Sequence, residues 1–227
     1  MKEPKRTTQI VSALVRLLAG VLLIGAFVLL PAGTFDYWQA WLYTAVLFTP
    51  LVVMAVILLV FDPAFLGRRM NLRESQSEQK LAIAGLSLLI IVLLLIPGFD
   101  RRFSWSQVPT WLVLISDGLI LLGFLLFGLT MRENRFAGRV VEVQEEQKVI
   151  SSGPYALVRH PMYLAVTLIF GFTPLALGSY WGLIASILFP LMLVPRILNE
   201  EKVLREGLSG YKEYTFKVRW RLMPLVW

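Results

Sequence analysis

The sequence contains no cysteine and only one histidine among its 227 residues. Zinc sites with cysteine ligands, iron–sulfur clusters, disulfide frameworks and thiol nucleophiles are therefore excluded. A single imidazole also excludes metal sites that need several histidines. Few kinds of catalytic chemistry remain after these exclusions.

Charge is also scarce. Charged residues make up 16% of the chain and hydrophobic residues 57%, whereas soluble domains average roughly 25% charged residues. Four long apolar runs lie at 10–30, 39–60, 81–97 and 109–131. Each run is close to the roughly 20 residues that a helix needs to cross a bilayer. We expect four membrane-spanning helices here.

Two shorter apolar runs follow at 162–177 and 181–198, separated by Gly178, Ser179 and Tyr180. These three residues are typical of turns, so the two runs should form a tight helical hairpin. The expected fold is an all-α integral membrane protein with about six transmembrane helices, of which the last two form the hairpin, followed by a helical tail.

The basic residues fall on one side of the expected bilayer. That side receives Lys2, Lys5, Arg6, Arg68, Arg69, Arg73, Lys80, Arg132, Arg135, Arg139, Lys148, Arg159 and the basic tail. The short loops on the other side, 31–38 and 98–108, carry Arg101 and Arg102 together with interfacial aromatic residues. By the positive-inside rule, both termini should lie in the cytoplasm. The net charge of +7 therefore requires no nucleic-acid partner, and the bilayer is the expected partner.

Two polar segments flank the hairpin. The β-branched, alternating run at 140–150 predicts an extended arm, which the turn at 151–154 ends. After the hairpin, 196–206 predicts a helix that continues out of the bilayer, and Gly207 and Gly210 interrupt it. Residues 211–218 predict a further short helix.

The densest polar motif, residues 153–163, stands directly before the hairpin. Gly153 and Pro154 favour a turn, and Pro161 suits the first position of the next helix. These features alone could describe an ordinary helix start at the membrane surface. Alternatively, the turn amides with Arg159, His160 and Tyr163 bind a polar, partly anionic ligand.

A second motif stands where the hairpin's second helix leaves the bilayer. Arg196 and Glu200 are four residues apart, so an ordinary ion pair on one helix face explains them. Glu201, at the next position, points in another direction on a regular helix. The motif therefore offers a cation on one side and a carboxylate on another.

The two motifs, together with Gly210, Tyr214 and the run 218–224, resemble the isoprenylcysteine carboxyl methyltransferase family and, more loosely, the phospholipid methyltransferases. The resemblance covers roughly the last 90 residues. It implies an integral membrane enzyme that uses S-adenosyl-L-methionine. It also implies that residues 1–131 form a four-helix membrane region and residues 132–227 a catalytic region of cytoplasmic linker, hairpin and tail.

The resemblance also implies site residues. Arg196 and Glu201 would form the reaction centre. The cofactor pocket would comprise Gly153, Pro154, Tyr155, Arg159, His160, Pro161, Tyr163, Glu200 and Tyr214. No metal is expected, because the sulfonium methyl group is already electrophilic. The enzyme would lie in the inner or plasma membrane with its active site facing the cytoplasm.

The acceptor is expected to be amphipathic or lipid-like. An acceptor carboxylate is ionised at pH 7 and needs no base, and the chain offers few bases. A carboxylate acceptor, as in isoprenylcysteine O-methylation, is therefore favoured. Phospholipid N-methylation and S-methylation of a small thiol remain alternatives. So do an NADPH-dependent membrane reductase of the sterol type and a membrane protein without catalysis.

Two ionisable residues lie inside the predicted spans. Arg16 in the first span is expected to extend its side chain to the membrane surface. Asp117 in the fourth span is expected to make an interhelical hydrogen bond or to be neutral, and a role in admitting substrate is a further possibility.

Overall fold

The computed structural model describes residues 6–62, 77–134, 136 and 147–227. Within them the chain forms helices and no strand, which confirms the predicted all-α class. The helices are α1 (Arg6–Ile24), α2 (Leu30–Ala32), α3 (Trp38–Phe61), α4 (Ser77–Phe103), α5 (Thr110–Glu133), α6 (Pro161–Ala176), α7 (Leu183–Gly207) and α8 (Tyr211–Lys217). A π-helical turn, Gly25–Leu29, joins α1 to α2.

Five of these helical segments are long and apolar enough to cross a membrane, and the protein is an integral membrane protein. They are Ile10–Ala32, Trp38–Phe61, Ile83–Phe103, Thr110–Glu133 and Leu183–Gly207. The fifth predicted span, 162–177, is the shorter apolar helix α6, with 16 residues. The four predicted spans before the linker each coincide with a long helix.

The third predicted span ends too early. The structure carries α4 past Pro97 to Phe103, so the loop expected at 98–108 is only 104–109. Proline removes one backbone donor, and local packing outweighs that loss. Asp100, which is 1% exposed, accepts hydrogen bonds from the Ser106 amide and the hydroxyls of Ser106 and Ser179, and these bonds hold the added turns in place.

The predicted hairpin is present. Helices α6 and α7 pack against each other, and residues 177–182 connect them, with Gly178 at φ +75°. The second arm begins at Leu183, two residues after the predicted start at residue 181. As predicted, α7 then continues to Gly207 and α8 follows Gly210, whose φ is +81°.

Helix α5 makes its most extensive contacts with α6. At the contact, a Cβ atom on Gly123 would lie 2.9 Å from Ile169 and 3.0 Å from the Ala165 carbonyl oxygen. This close approach packs the middle of α6 tightly against the middle of α5.

Two predictions, the extended arm at 140–150 and the interhelical hydrogen bond of Asp117, are not confirmed. The extended arm predicted at 140–150 falls largely outside the described residues, which include only 147–150 of it. Asp117 is 4% exposed, and its carboxyl oxygens have no hydrogen-bond partner among the described residues. The predicted interhelical hydrogen bond is therefore absent among the described residues, and a role in admitting substrate stays a prediction.

Replacing Gly98 by alanine tests the packing of α4 against the segment 28–32. The added Cβ would lie 2.6 Å from the Val28 carbonyl oxygen and 2.9 Å from Pro31. We expect Gly98→Ala to destabilise the protein by about 1–3 kcal/mol, because backbone must move. Thermal unfolding in detergent measures the effect. Gly118→Ala is the matched control, since nothing lies within 4 Å of its added Cβ; equal midpoints for the two variants would contradict the packing.

Candidate active site

A cavity of about 480 Å³ lies among the ends of α4, α6, α7 and α8. Its apolar part lies between the membrane helices and is formed by Ile83, Leu86 and Ile90 of α4, Val166 and Phe170 of α6, and Phe189 and Leu193 of α7. Its polar part includes Tyr155, Arg159, His160, Tyr163, Arg196, Glu200, Tyr211 and Tyr214. A ligand in this cavity would meet both environments at once.

The motif before the hairpin folds as a 3₁₀ turn, Gly153–Ala156. Gly153 has φ +55°, and a Cβ there would lie 2.7 Å from Glu133 at the end of α5. The Ser152 hydroxyl donates to Glu133 Oε2 (2.7 Å), and Asn134 Nδ2 donates to the Tyr155 hydroxyl (2.9 Å). The turn is thus attached to the end of α5, and Tyr155 faces the cavity.

Tyr163 joins the two sequence motifs inside the polar part of the cavity. Arg196 Nε donates to the Tyr163 hydroxyl at 2.9 Å, and that hydroxyl donates to Glu200 Oε2 at 2.6 Å. The His160 ring lies beside Tyr163, with ring centres 5.7 Å apart. A guanidinium, a phenol and a carboxylate therefore stand in one hydrogen-bonded row on the cavity wall.

Glu201 is buried in a different environment. It is 3% exposed and does not line the cavity. Its Oε1 lies 3.0 Å from Arg159 Nε and 3.4 Å from His160 Nε2, and its Oε2 lies 3.2 Å from Arg221 Nε and 3.5 Å from Arg205. Three guanidinium groups around one buried carboxylate stabilise its charged form. We call these five residues the Glu201 cluster.

The tail closes over this cluster through the backbone. The amides of Arg159 and His160 donate to the carbonyl oxygens of Trp220 and Arg221, both at 2.9 Å. Arg221 also lies over the Trp227 ring, 5.1 Å from its centre. Because Arg159 and His160 line the cavity, the Glu201 cluster and the tail together set the position of its polar wall.

Two tyrosines of α8 complete that wall. The Tyr214 hydroxyl donates to the Tyr155 carbonyl oxygen at 2.7 Å. The Tyr211 hydroxyl is buried and has no hydrogen-bond partner among the described residues. Burial raises the pKa of both phenols, and the charges of Glu201 and Glu200 raise the pKa of Tyr211 further. Both therefore stay protonated, and Tyr211 can donate to a ligand.

The structure brings most of the predicted site residues together. Tyr155, Arg159, His160, Pro161, Tyr163, Arg196, Glu200 and Tyr214 line one cavity. Gly153 and Pro154 shape the turn beside it without lining it, and Glu201 lies behind its wall. Their roles in binding or catalysis stay predictions.

Sequence reasoning missed Tyr211 and the contribution of α4. Tyr211 stands three residues before Tyr214, a spacing that places both on one helix face and could have indicated it. In the sequence, Ile83, Leu86 and Ile90 of α4 are indistinguishable from other apolar residues of a membrane span. Only the packing of α4 beside α7 brings them to the cavity.

The fold and the cavity define an all-helical integral membrane protein with a site that is polar at one end and apolar at the other. Residues 111–209 match the family model of the phospholipid methyltransferases, which are membrane methyltransferases related to the isoprenylcysteine carboxyl methyltransferases. No curated protein matches the chain. The match runs from α5 through α7 and indicates a membrane methyltransferase.

Replacing Glu201 by glutamine tests the cluster. The change removes the charge that compensates buried Arg159 while keeping the side-chain volume. We expect a loss of about 3–5 kcal/mol, because breaking a buried ion pair leaves a charge uncompensated. Thermal unfolding in detergent reports the loss. Glu206→Gln on the exposed side of α7 is the control, and similar midpoints for both variants would contradict the cluster's role.

Proposed function

We propose that the protein is a membrane-embedded S-adenosyl-L-methionine-dependent methyltransferase acting on an amphipathic, lipid-like acceptor. The observation that carries the proposal is the continuous cavity, whose polar end adjoins an apolar part between α4, α6 and α7. A cofactor with charged groups suits the polar end, and an acceptor with an apolar tail suits the part within the bilayer. The match to a methyltransferase family supports the reaction class.

The cavity fits the cofactor in size and chemistry. Its volume lies within the range of small-molecule sites, roughly 300–1,000 Å³. The buried, unpartnered hydroxyl of Tyr211 can donate a hydrogen bond to a carboxylate or hydroxyl of the ligand. The faces of Tyr163 and Tyr214 suit a sulfonium cation. Arg159 carries a positive charge at the same wall for the amino-acid carboxylate.

S-adenosyl-L-methionine supplies a methyl group already activated by its positive sulfur. The protein has to orient the acceptor, exclude water and hold the reacting groups in line. Arg196, Tyr163 and Glu200 form the polar row next to the apolar part of the cavity. We assign Arg196 and Glu200 of this row to the acceptor's head group. The cofactor would supply the methyl group there, and these residues would hold the acceptor's attacking atom in line with it.

A carboxylate acceptor suits Arg196. Its guanidinium can attract the anion, and no proton has to leave during transfer. This is the acceptor class of isoprenylcysteine O-methylation, and it requires no base from the protein.

A phospholipid amine is the second candidate. The matched family favours it, and so does Glu200, whose side chain is 29% exposed and faces the cavity. A carboxylate attracts an ammonium group and can accept the proton that the amine must lose before it attacks.

The family resemblance assigned Glu201 to the reaction centre, a role that stays a prediction. We propose instead that it acts through Arg159 and His160, since cations surround it and it does not line the cavity. We also propose that residues 132–227 form the catalytic region and that both termini and the site face the cytoplasm, as the basic residues indicate.

Replacing Tyr211 by phenylalanine separates ligand binding from stability. Removing a buried, unsatisfied hydroxyl should leave the unfolding temperature unchanged or slightly higher. It should weaken binding of S-adenosylhomocysteine by about 1 kcal/mol, roughly fivefold in Kd. Calorimetric titration of the detergent-purified wild-type protein and of the variant measures the two affinities. Unchanged affinity would remove Tyr211 from the site. Tyr180→Phe, on the hairpin turn away from the cavity, is the control.

Methyl transfer itself is tested with radiolabelled cofactor and total membrane lipid or small-molecule extracts. The wild-type protein should label a lipid-phase product. Arg196→Ala and Glu200→Gln should each lower turnover roughly hundredfold while keeping cofactor affinity within a few fold. Product identification decides between an ester and a methylated amine.

Three results would contradict the proposal or the assignment of its residues. Absence of saturable cofactor binding in a folded sample would exclude the methyltransferase, and saturable NADPH binding would favour the reductase. Equal loss of affinity and turnover in the Arg196 and Glu200 variants would place these residues in the cofactor site and not beside the acceptor.

A further inference from the structure

The tail segment 219–227 packs into the membrane part of the molecule. Leu222, which is 4% exposed, belongs to the same cluster of buried apolar side chains as Leu193 and Ile197 of α7 and Leu89 and Leu93 of α4. Met223 and Trp227 pack against this cluster. Helices α4 and α7 are candidate membrane spans. The tail therefore reaches the depth at which the apolar stretch of α7 ends.

The segment folds back on itself there. The amides of Arg221 and Leu222 donate to the Trp227 carbonyl oxygen at 2.9 and 3.0 Å, and the Trp227 amide donates to the Met223 carbonyl oxygen at 3.1 Å. This turn holds Leu225 at φ +67°, where its side chain is 85% exposed. Val226 is 74% exposed. The turn thus places two large apolar side chains outward, next to a membrane-embedded cluster.

Basic residues precede the apolar turn in the chain. Lys217 and Arg219 are exposed, and Phe216 beside them is 81% exposed. Trp220 and Trp227 are half-buried. Exposed aliphatic residues, tryptophans and flanking cations are the combination that binds the interface of an anionic bilayer.

We propose that residues 216–227 are an interfacial membrane anchor. Leu225 and Val226 insert into the acyl-chain boundary of the leaflet at which α7 leaves the bilayer, and Lys217 and Arg219 bind lipid phosphates. Because the backbone of Trp220 and Arg221 accepts from Arg159 and His160, the anchor holds the cavity's polar wall at the membrane surface. The anchor needs neither the proposed cofactor nor the proposed reaction.

The natural absence of cysteine allows a direct test. Leu225→Cys carries an environment-sensitive fluorophore on the anchor, and Glu213→Cys carries it on the exposed face of α8. Both full-length variants are reconstituted in vesicles of phosphatidylcholine with phosphatidylglycerol. We expect the label at position 225 to be quenched severalfold more by lipids with a doxyl group high on the acyl chain than by aqueous iodide. The label at position 213 should show the reverse.

Aqueous quenching of both labels to the same extent would overturn the proposal, because the turn would then face water. Replacing Lys217 and Arg219 by glutamine in the Leu225→Cys variant should reduce the doxyl quenching in these vesicles but not in vesicles of phosphatidylcholine alone. If the two substitutions change the doxyl quenching equally in both kinds of vesicle, Lys217 and Arg219 do not belong to the anchor. Circular dichroism of each variant confirms that the helices are retained.

Discussion

The candidate site depends on the ion pairs of the buried Glu201 carboxylate. Its two oxygens contact cations from the loop before α6, from α7 itself and from the tail. A lone charge at 3% exposure would be costly, and each partner makes its burial possible. The three segments are far apart in sequence, so this one group fixes their relative positions.

The consequence of that arrangement is a cavity with two chemically different ends. Arg159 and His160, held by Glu201 and by the backbone of the tail, face the same space as the row of Arg196, Tyr163 and Glu200. The rings of Phe170 and Phe189 pack at a tilt, with centres 4.9 Å apart, and line the apolar part. A transferable group and an apolar acceptor can therefore meet without either leaving its preferred environment.

Much of this architecture was predictable because bilayer length and turn chemistry act locally. The four spans, the hairpin turn at Gly178, and the break at Gly210 follow from runs of apolar residues and from glycines that the structure holds at positive φ. The end of α4 was not predictable, because the bonds of Asp100 to Ser106 and Ser179 outweigh the proline signal.

The candidate site, too, could be predicted from the sequence only in part. Helical spacing separates Glu200 from Glu201, but it does not say which of them faces a cavity. That choice depends on Arg159 and Arg221, which arrive from other segments. The unpartnered hydroxyl of Tyr211 and the anchoring turn at Leu225 depend likewise on contacts between distant parts of the chain.

The central claim is that the cavity beside the Glu201 cluster binds the methyl donor. An experimental structure of the protein in lipid nanodiscs, determined with saturating S-adenosylhomocysteine, tests this most directly. The account predicts ligand density between His160, Tyr163 and Tyr211, with the sulfur directed toward the row of Arg196 and Glu200. Density elsewhere on the protein, or an empty cavity in a complex shown to be saturated, would contradict it.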